Sequence, residues 1–450
     1  MMLAEIIGPY GRHIRQIFYL VAPWEAMHES VEDVPPVEEE VAPWLTLLIL
    51  VEIFLICKKG PPHIFQTDDA VASAGAMFLQ IIVNKVLCHS LSMAAYVWVY
   101  DNWSIYRLPF NSVWTFFISI VVVDFVYYWF HRAAHEVNII WAFHSVHHSP
   151  EYFNYATSLR QNALQLFVSN LYYAPLGLFI PPGTFLVHEL MNRAYQFWLH
   201  SELIGKLGPM EWIMVTPSHH RVHHGRNRYC IDKNYGGFFI IWDRIFGTFE
   251  GERDSEPVLY GLTHNINSFD TIRVQFFHLK HMLFEKLPSV DGVRNKLKAL
   301  FYGPGWAPGK PRLGNLEDIP EAVPIKRYHS GVAPSVTAYS LAQFLIYLFS
   351  YEIFAKTMKV APLTVRFEFS LWIIIGMCVL GGLLDNKGWA PYAEVIRCLI
   401  FCIRFFPIVW PDGFICAIFQ FITALSLLFW ISILLVSNGK TISARLKKKI

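Results

Sequence analysis

Charge is what this chain has little of. Asp, Glu, Lys and Arg make up 16% of its 450 residues, against roughly 25% in an ordinary soluble domain. The shortage argues against two or three soluble domains, which the length would otherwise allow. The formal net charge is only +2, so no nucleic acid or strongly acidic partner is expected. Cysteine is also sparse. Cys57, Cys88, Cys230, Cys378, Cys398, Cys402 and Cys416 lie mostly in apolar runs. Cys398 and Cys402 have no second pair to complete a zinc site, so reduced, buried thiols are expected. The opening MMLAEIIGPYGRHIRQ lacks a basic stretch followed by a short apolar run, so it does not read as a cleaved secretory signal. Internal repeats and long low-complexity tracts are absent.

What is abundant is apolar sequence: 54% of residues are hydrophobic and 16% aromatic. A polar lead-in (1–42), acidic and Pro-bearing over 24–42, precedes the first apolar run, from Pro43 to Cys57, which is short against the about 20 residues a span needs. A second run, 71–100, is interrupted by Lys85 and His89, and a third, 113–130, carries Asp124. Runs near 164–180 and 184–199, parted by Pro181-Pro182-Gly183, read as a helical hairpin dipping into the bilayer. Residues 201–334 are too polar to span and read as an extramembrane cap. Four further runs lie near 335–354, 363–384, 391–410 and 413–436, with Arg366, Glu368, Arg397 and Arg404 blurring their edges. The expected division is a lead-in (1–42), membrane helices (43–200), a cap (201–334), C-terminal membrane helices (335–436) and a basic tail (437–450). The class expected is all-α: a polytopic membrane helical bundle with a histidine-rich di-metal cap. Lys and Arg in the cap and tail place both in the cytosol by the positive-inside tendency. The closing KKKI reads either as a dilysine retrieval signal for the endoplasmic reticulum or as a solvated basic tail.

Histidine carries the chemical signal. Of nineteen, eleven fall between 131 and 224. His131 and His135 continue a helical run, and a spacing of four puts both imidazoles on one face. His144, His147 and His148 form H-x-x-H-H, and His220, His223 and His224 repeat that spacing. Adjacent histidines on a helix point about 100° apart, so one pair can serve two metals. Eight imidazoles exceed the four ligands of one zinc and suit two metals with open positions. Imidazole alone does not choose among iron, copper, nickel and zinc. Oxidising an unactivated C–H bond needs redox chemistry, which zinc lacks and iron has. His219 is an alternative to His220. His200 is a candidate ninth ligand or supporting group, and His188 is a weaker one. Glu136 follows His135 and is a candidate to tune or bridge the metals. Asp124, eleven residues before His135, is a candidate supporting carboxylate. His13, His28, His63, His89 and His329 are given no role.

The eight-histidine set resembles the signature of the fatty acid hydroxylase and sterol desaturase superfamily over roughly 115–255. That resemblance implies a di-iron oxygenase of the endoplasmic reticulum. Glu136 also matches the family pattern. The segments DFVYYWFHRAAHEVNIIWAFHSVHH, PSHHRVHHGRNRYCIDKNYGG and GPGWAPGKPRLG are similar to the branch that cleaves ether lipids with tetrahydrobiopterin, and the likeness extends over nearly the whole chain. Its extra C-terminal membrane segments agree with the runs after 335. The resemblance implies dioxygen, reduced pterin and an alkylglycerol as partners, and hydroxylation of the alkyl carbon beside the ether oxygen. No motif identifies pterin-binding residues. Two rival readings stay open: a sterol or sphingolipid hydroxylase or desaturase on the same metals, and a non-enzymatic histidine-lined metal transporter.

Overall fold

The computed structural model describes residues 11–59, 65–84, 89–323, 327–357, 361–405 and 414–436. Lys85, Cys88 and the tail 437–450 with its KKKI end lie outside the described residues. The helices used below are α1 (Val37–Lys59), α2 (Thr67–Val83), α3 (His89–Trp103), α4 (Val113–Glu136), α5 (Asn138–His144), α6 (Gln165–Tyr173), α7 (Pro182–Phe197), α8 (Pro217–His224), α9 (Ile241–Phe246), α10 (Thr271–His281), α11 (Val293–Phe301), α12 (Pro334–Thr357), α13 (Leu363–Leu384), α14 (Ala390–Ile400) and α15 (Phe414–Val436). Among the described residues β-pairing is limited to two isolated bridges, Met214 with Phe239 and Gly225 with Tyr260. The all-helical class expected from the sequence is the class observed.

Among the described residues four helices are long and apolar enough to cross a membrane: Val37–Lys58, Val113–Glu136, Leu363–Leu384 and Ile418–Leu435. The first exceeds the run read from Pro43 because the helix starts at Val37. Glu38, Glu39 and Glu40 occupy its first turn, where negative charge complements the helix dipole. Over the run 71–100 the described helices are α2, of 17 residues, and α3, of 15. The dipping hairpin is α6 and α7, of 9 and 16 residues, both shorter than a span requires. Helix α12 has 24 residues but interleaves its apolar side chains with buried Ser340, Gln343 and Ser350.

The chain forms two compact units: residues 1–65, 87–265 and 276–325 in one, and 66–86, 266–275 and 326–450 in the other. In the first unit α7 is central, packed on α1 and α4. Its Val187, Met191 and Tyr195 join Val41, Val215 and Ile240 in one buried apolar cluster. In the second unit α2, α12, α13, α14 and α15 form a helical bundle. Arg397, read as a boundary disturbance, is buried there. It donates from Nε to Glu394 at 2.7 Å and from Nη2 to Gln343 Oε1 at 2.8 Å. A charge inside an apolar bundle persists only when paired in this way. The described cysteines Cys57, Cys230, Cys378, Cys398 and Cys402 are free thiols.

Candidate metal centre

Ser112 caps the start of helix α4, and its hydroxyl accepts from Trp114 N–H at 3.3 Å. It runs unbroken to Glu136, where Val137 leaves helical geometry at φ −126°. His131 and His135 therefore sit one turn apart on its last two turns. Helix α5 restarts at Asn138 and ends at His144, and the following turn carries His147 and His148. Helix α8 opens on Pro217 at its first position, where a missing N–H costs nothing.

At eight residues α8 is too short to hold itself, so its neighbours must hold it. Arg221 supplies much of that restraint. Its guanidinium binds both oxygens of Glu252 at 2.7 Å. It also donates to the carbonyls of Ser201 at 2.9 Å and Ile204 at 2.7 Å, tying α8 to the segment that follows His200.

These elements gather nine buried histidines into two groups. One contains His131, His135, His144, His148 and His223; the other contains His147, His200, His220 and His224. Within each group the candidate ligand atoms all lie within 4.8 Å of one another. Each H-x-x-H-H cluster divides between the groups. The residues at i and i+4 (His144 and His148, or His220 and His224) go to one, and the residue at i+3 goes to the other. Adjacent residues on a helix point about 100° apart, so His223 and His224 face different groups, and His147 and His148 divide in the same way.

The nitrogens converge. His131 Nε2 lies 2.9 Å from His144 Nε2, and His148 Nε2 lies 3.2 Å from the same atom. In the other group His200 Nε2 is 3.2 Å from His147 Nε2 and 3.0 Å from His220 Nε2. Two ligands each about 2.1 Å from one ion and at right angles would be about 3 Å apart. Among the described residues the buried Nε2 atoms of His135, His223 and His224 have no hydrogen-bond partner. Unpartnered buried nitrogens are costly, and a metal ion would satisfy them. The donor set fits a di-iron centre.

The opposite ring edges are fixed by carbonyls. His131 Nδ1 faces Tyr235 O at 2.8 Å, His223 Nδ1 faces Lys233 O at 2.9 Å, and His200 Nδ1 faces Gln196 O at 2.9 Å. A carbonyl only accepts, so each Nδ1 carries the proton and Nε2 keeps its lone pair for the metal. Burial pulls the imidazoles of His147, His148, His220 and His224 well below the usual histidine range. The same cause takes His200 to about 3 and His223 to about 4. Neutral imidazole is the ligating form.

The loop presenting the Lys233 and Tyr235 carbonyls is built from left-handed residues, Asp232 at φ 57° and Asn234 at φ 56°. Asn234 donates to the carbonyls of His219 and Glu250 at 3.0 and 2.8 Å. At Gly236 a Cβ would come within 2.4 Å of Phe239 O, so no side chain fits. Asp124 secures the next stretch. It accepts from Asn192 Nδ2, Phe238 N–H, Phe239 N–H and Trp242 Nε1 at 2.8, 2.8, 3.0 and 2.9 Å. Its support for the centre thus runs through the loop.

Of the other candidates, His219 and His188 lie outside both groups. His188 Nδ1 meets Tyr19 OH at 2.9 Å, and His219 packs on Phe249. The carboxylate of Glu136 pairs with Arg132 at 2.8 Å and with Arg312, and it too is outside both groups. Asp232, not singled out from the sequence, stands nearer: its Oδ1 is 3.6 Å from His135 Nδ1. No spacing pattern marks it, because it reaches the histidine through a left-handed loop residue. The rings of Trp141 and Phe153 flank the groups, Trp141 5.0 Å from His135 and Phe153 5.2 Å from His224 between centroids.

Comparison with known proteins locates these features. The fatty acid hydroxylase family matches residues 116–248, which include all nine histidines. A second family, the alkylglycerol monooxygenase C-terminal domain, matches 336–406. The chain is 44% identical over 394 residues to alkylglycerol monooxygenase of Homo sapiens, with 86% of each chain covered. Identity is 43% over 389 residues to the enzyme of that name from Danio rerio, again with 86% of each covered. For the Caenorhabditis elegans enzyme it is 38% over 407 residues, with 86% of this chain and 80% of the relative covered. No solved structure matches the chain.

Proposed function

The chain belongs to the alkylglycerol monooxygenase family, and from that premise we propose how its own residues carry out the reaction. It is a membrane-embedded monooxygenase acting on alkylglycerols. The proposed reaction inserts one atom of dioxygen into the C–H bond of the alkyl carbon attached to the ether oxygen. The second oxygen atom leaves as water, with two electrons and two protons supplied by tetrahydrobiopterin. The resulting hemiacetal breaks at its C–O bond, giving a fatty aldehyde and glycerol. A lyso-alkylglycerophospholipid gives the phosphorylated relative instead.

The observation that carries this reading is the convergence of nine buried histidines into two groups inside the hydroxylase-matched region. Iron, when bound, supplies the power to activate dioxygen, which no side chain possesses. His131, His135, His144, His148 and His223 are proposed to hold one ion, and His147, His200, His220 and His224 the other. The carbonyls of Tyr235, Lys233 and Gln196 hold the Nδ1 protons of His131, His223 and His200 and so keep each Nε2 aimed inward. Glu136 is proposed to act on the centre by charge and position. It sits one residue beyond His135, restrained between Arg132 and Arg312. Trp141 and Phe153 exclude water from the reacting carbon and offer an apolar wall to the alkyl chain.

The proposed setting is the endoplasmic reticulum membrane with the site facing the cytosol. There the alkyl chain arrives from the bilayer, favoured by about 0.8 kcal/mol per buried CH₂, and the pterin arrives from water. The test is purified protein loaded with iron and supplied with alkylglycerol, dioxygen and tetrahydrobiopterin. Fatty aldehyde that depends on all three is expected. No aldehyde, together with a stable alcohol or alkene made from a sterol or sphingolipid, would overturn the proposal.

A further inference from the structure

Beyond the histidine site, the first unit carries an apolar face that is open to its surroundings. Phe276, Leu283 and Phe284 are exposed on α10 and the turn that continues it, and Val293, Leu297 and Phe301 are exposed on α11. Phe284 is 72% exposed and Val293 75%, as open as Trp114 on the candidate span Val113–Glu136. The three on α11 follow one another at intervals of four, so they form a single stripe along the helix. Basic residues border them: Lys280, Arg294 and Lys296 are exposed beside the stripe. Residues 276–301 hold five Lys and Arg against two acidic residues.

The position of this face identifies what covers it. Asn138 stands two residues beyond the end of the candidate span Val113–Glu136. Its N–H donates to Tyr302 O and its Nδ2 to Ala299 O, both at 2.8 Å. Its Oδ1 is 2.8 Å from His278 Nε2. Both helices are therefore pinned to the point where α4 ends. On the opposite side of α11, Ala299 is buried with Val290 and Trp306, so the helix has one packed face and one open face.

We infer that residues 276–301 are an in-plane membrane anchor. The apolar stripe enters the boundary between headgroups and acyl chains, and Lys280, Arg294 and Lys296 meet anionic headgroups. Aromatic and aliphatic residues on one face with Lys and Arg at its edges are the composition of an interfacial helix. A second copy of the chain fits the face poorly, because a twofold contact would set Arg294 and Lys296 close to their own counterparts.

The test places the photoreactive residue p-benzoylphenylalanine at position 297, and independently at 293. The full-length protein is then irradiated in nanodiscs of mixed phosphatidylcholine and phosphatidylserine. A mass increase of one phospholipid on the peptide containing the probe is expected at both positions. A covalent dimer of the chain, or no adduct at either position in protein that remains folded by its thermal transition, overturns the inference.

Discussion

His200 Nε2 stands 3.0 Å from His220 Nε2 in the buried interior, although His200 belongs to none of the spaced clusters. It enters the four-membered group from the end of α7, oriented by the Gln196 carbonyl. Replacing it with alanine removes one of four imidazoles from that group and none from the other. His200→Ala is expected to lower bound iron from two ions per chain toward one. His188→Ala, which alters a histidine outside both groups, is expected to leave the content unchanged. Elemental analysis of the purified variants decides it, and full iron content in the His200 variant would remove it from the ligand set.

Removing metal is expected to destabilise the fold. Without an ion, the Nε2 atoms of His135, His223 and His224 are buried without partners among the described residues. A ligand present at a hundredfold excess over its Kd stabilises by about 2.7 kcal/mol. Ferrous iron added to chelator-treated protein should therefore raise its unfolding temperature. A transition indifferent to iron would mean that the nine histidines do not form metal sites.

Asp124→Ala is expected to be among the most damaging single changes away from the histidines. It leaves four donors, one buried and three half-buried, without their acceptor. Hydrogen bonds to a charged group are worth about 1.5–3 kcal/mol each, so a loss of at least about 3 kcal/mol is expected. The Tyr235 carbonyl lies on the same loop, so iron affinity should fall as well. Thermal unfolding and iron titration measure the two effects. A variant with wild-type values for both would show that the loop stands without its clasp.

A pH effect is expected at His278. Burial takes this imidazole down to about 3, while its unfolded value is near the usual 6.5. Its folded value is depressed, so the unfolded state binds the proton first as pH falls. The associated stability is complete above about 6.5 and is lost progressively toward the folded value, by at most about 1.4 kcal/mol per pH unit. His278→Gln should flatten the dependence of stability on pH between about 6 and 4 relative to the parent. Denaturation curves at several pH values test this, and parallel pH profiles would show that His278 already titrates normally.

Much of the site was legible because its chemistry is written in spacing. His131 and His135, and the i and i+4 members of each H-x-x-H-H run, announce a shared face wherever the chain is helical. His200 was harder, since only its place at the end of an apolar run set it apart. The supporting carbonyls of Lys233, Tyr235 and Gln196 were not legible, because a backbone oxygen has no letter of its own. Asp232 was missed because a left-handed loop, not a periodic pattern, carries it to His135. The fold was legible where apolar length decides, as in α4 and α13. It was misjudged where polar residues intervene. Helix α1 starts at Val37, inside the lead-in, and Arg397 proved to be a paired interior residue instead of an edge.

The interleaving of the two histidine groups makes residue count as restrictive as residue identity. A single inserted residue between His144 and His148, or between His220 and His224, would not merely shift one ligand. In α8 it would rotate the later imidazoles by about 100°, and in the turn after α5 it would shift them off their places, disturbing both ion positions together. Exposed loops away from these stretches can lengthen or shorten as loops ordinarily do. These two five-residue stretches cannot, and a deletion scan through them should show a sharp boundary where a conservative histidine substitution elsewhere shows a graded one.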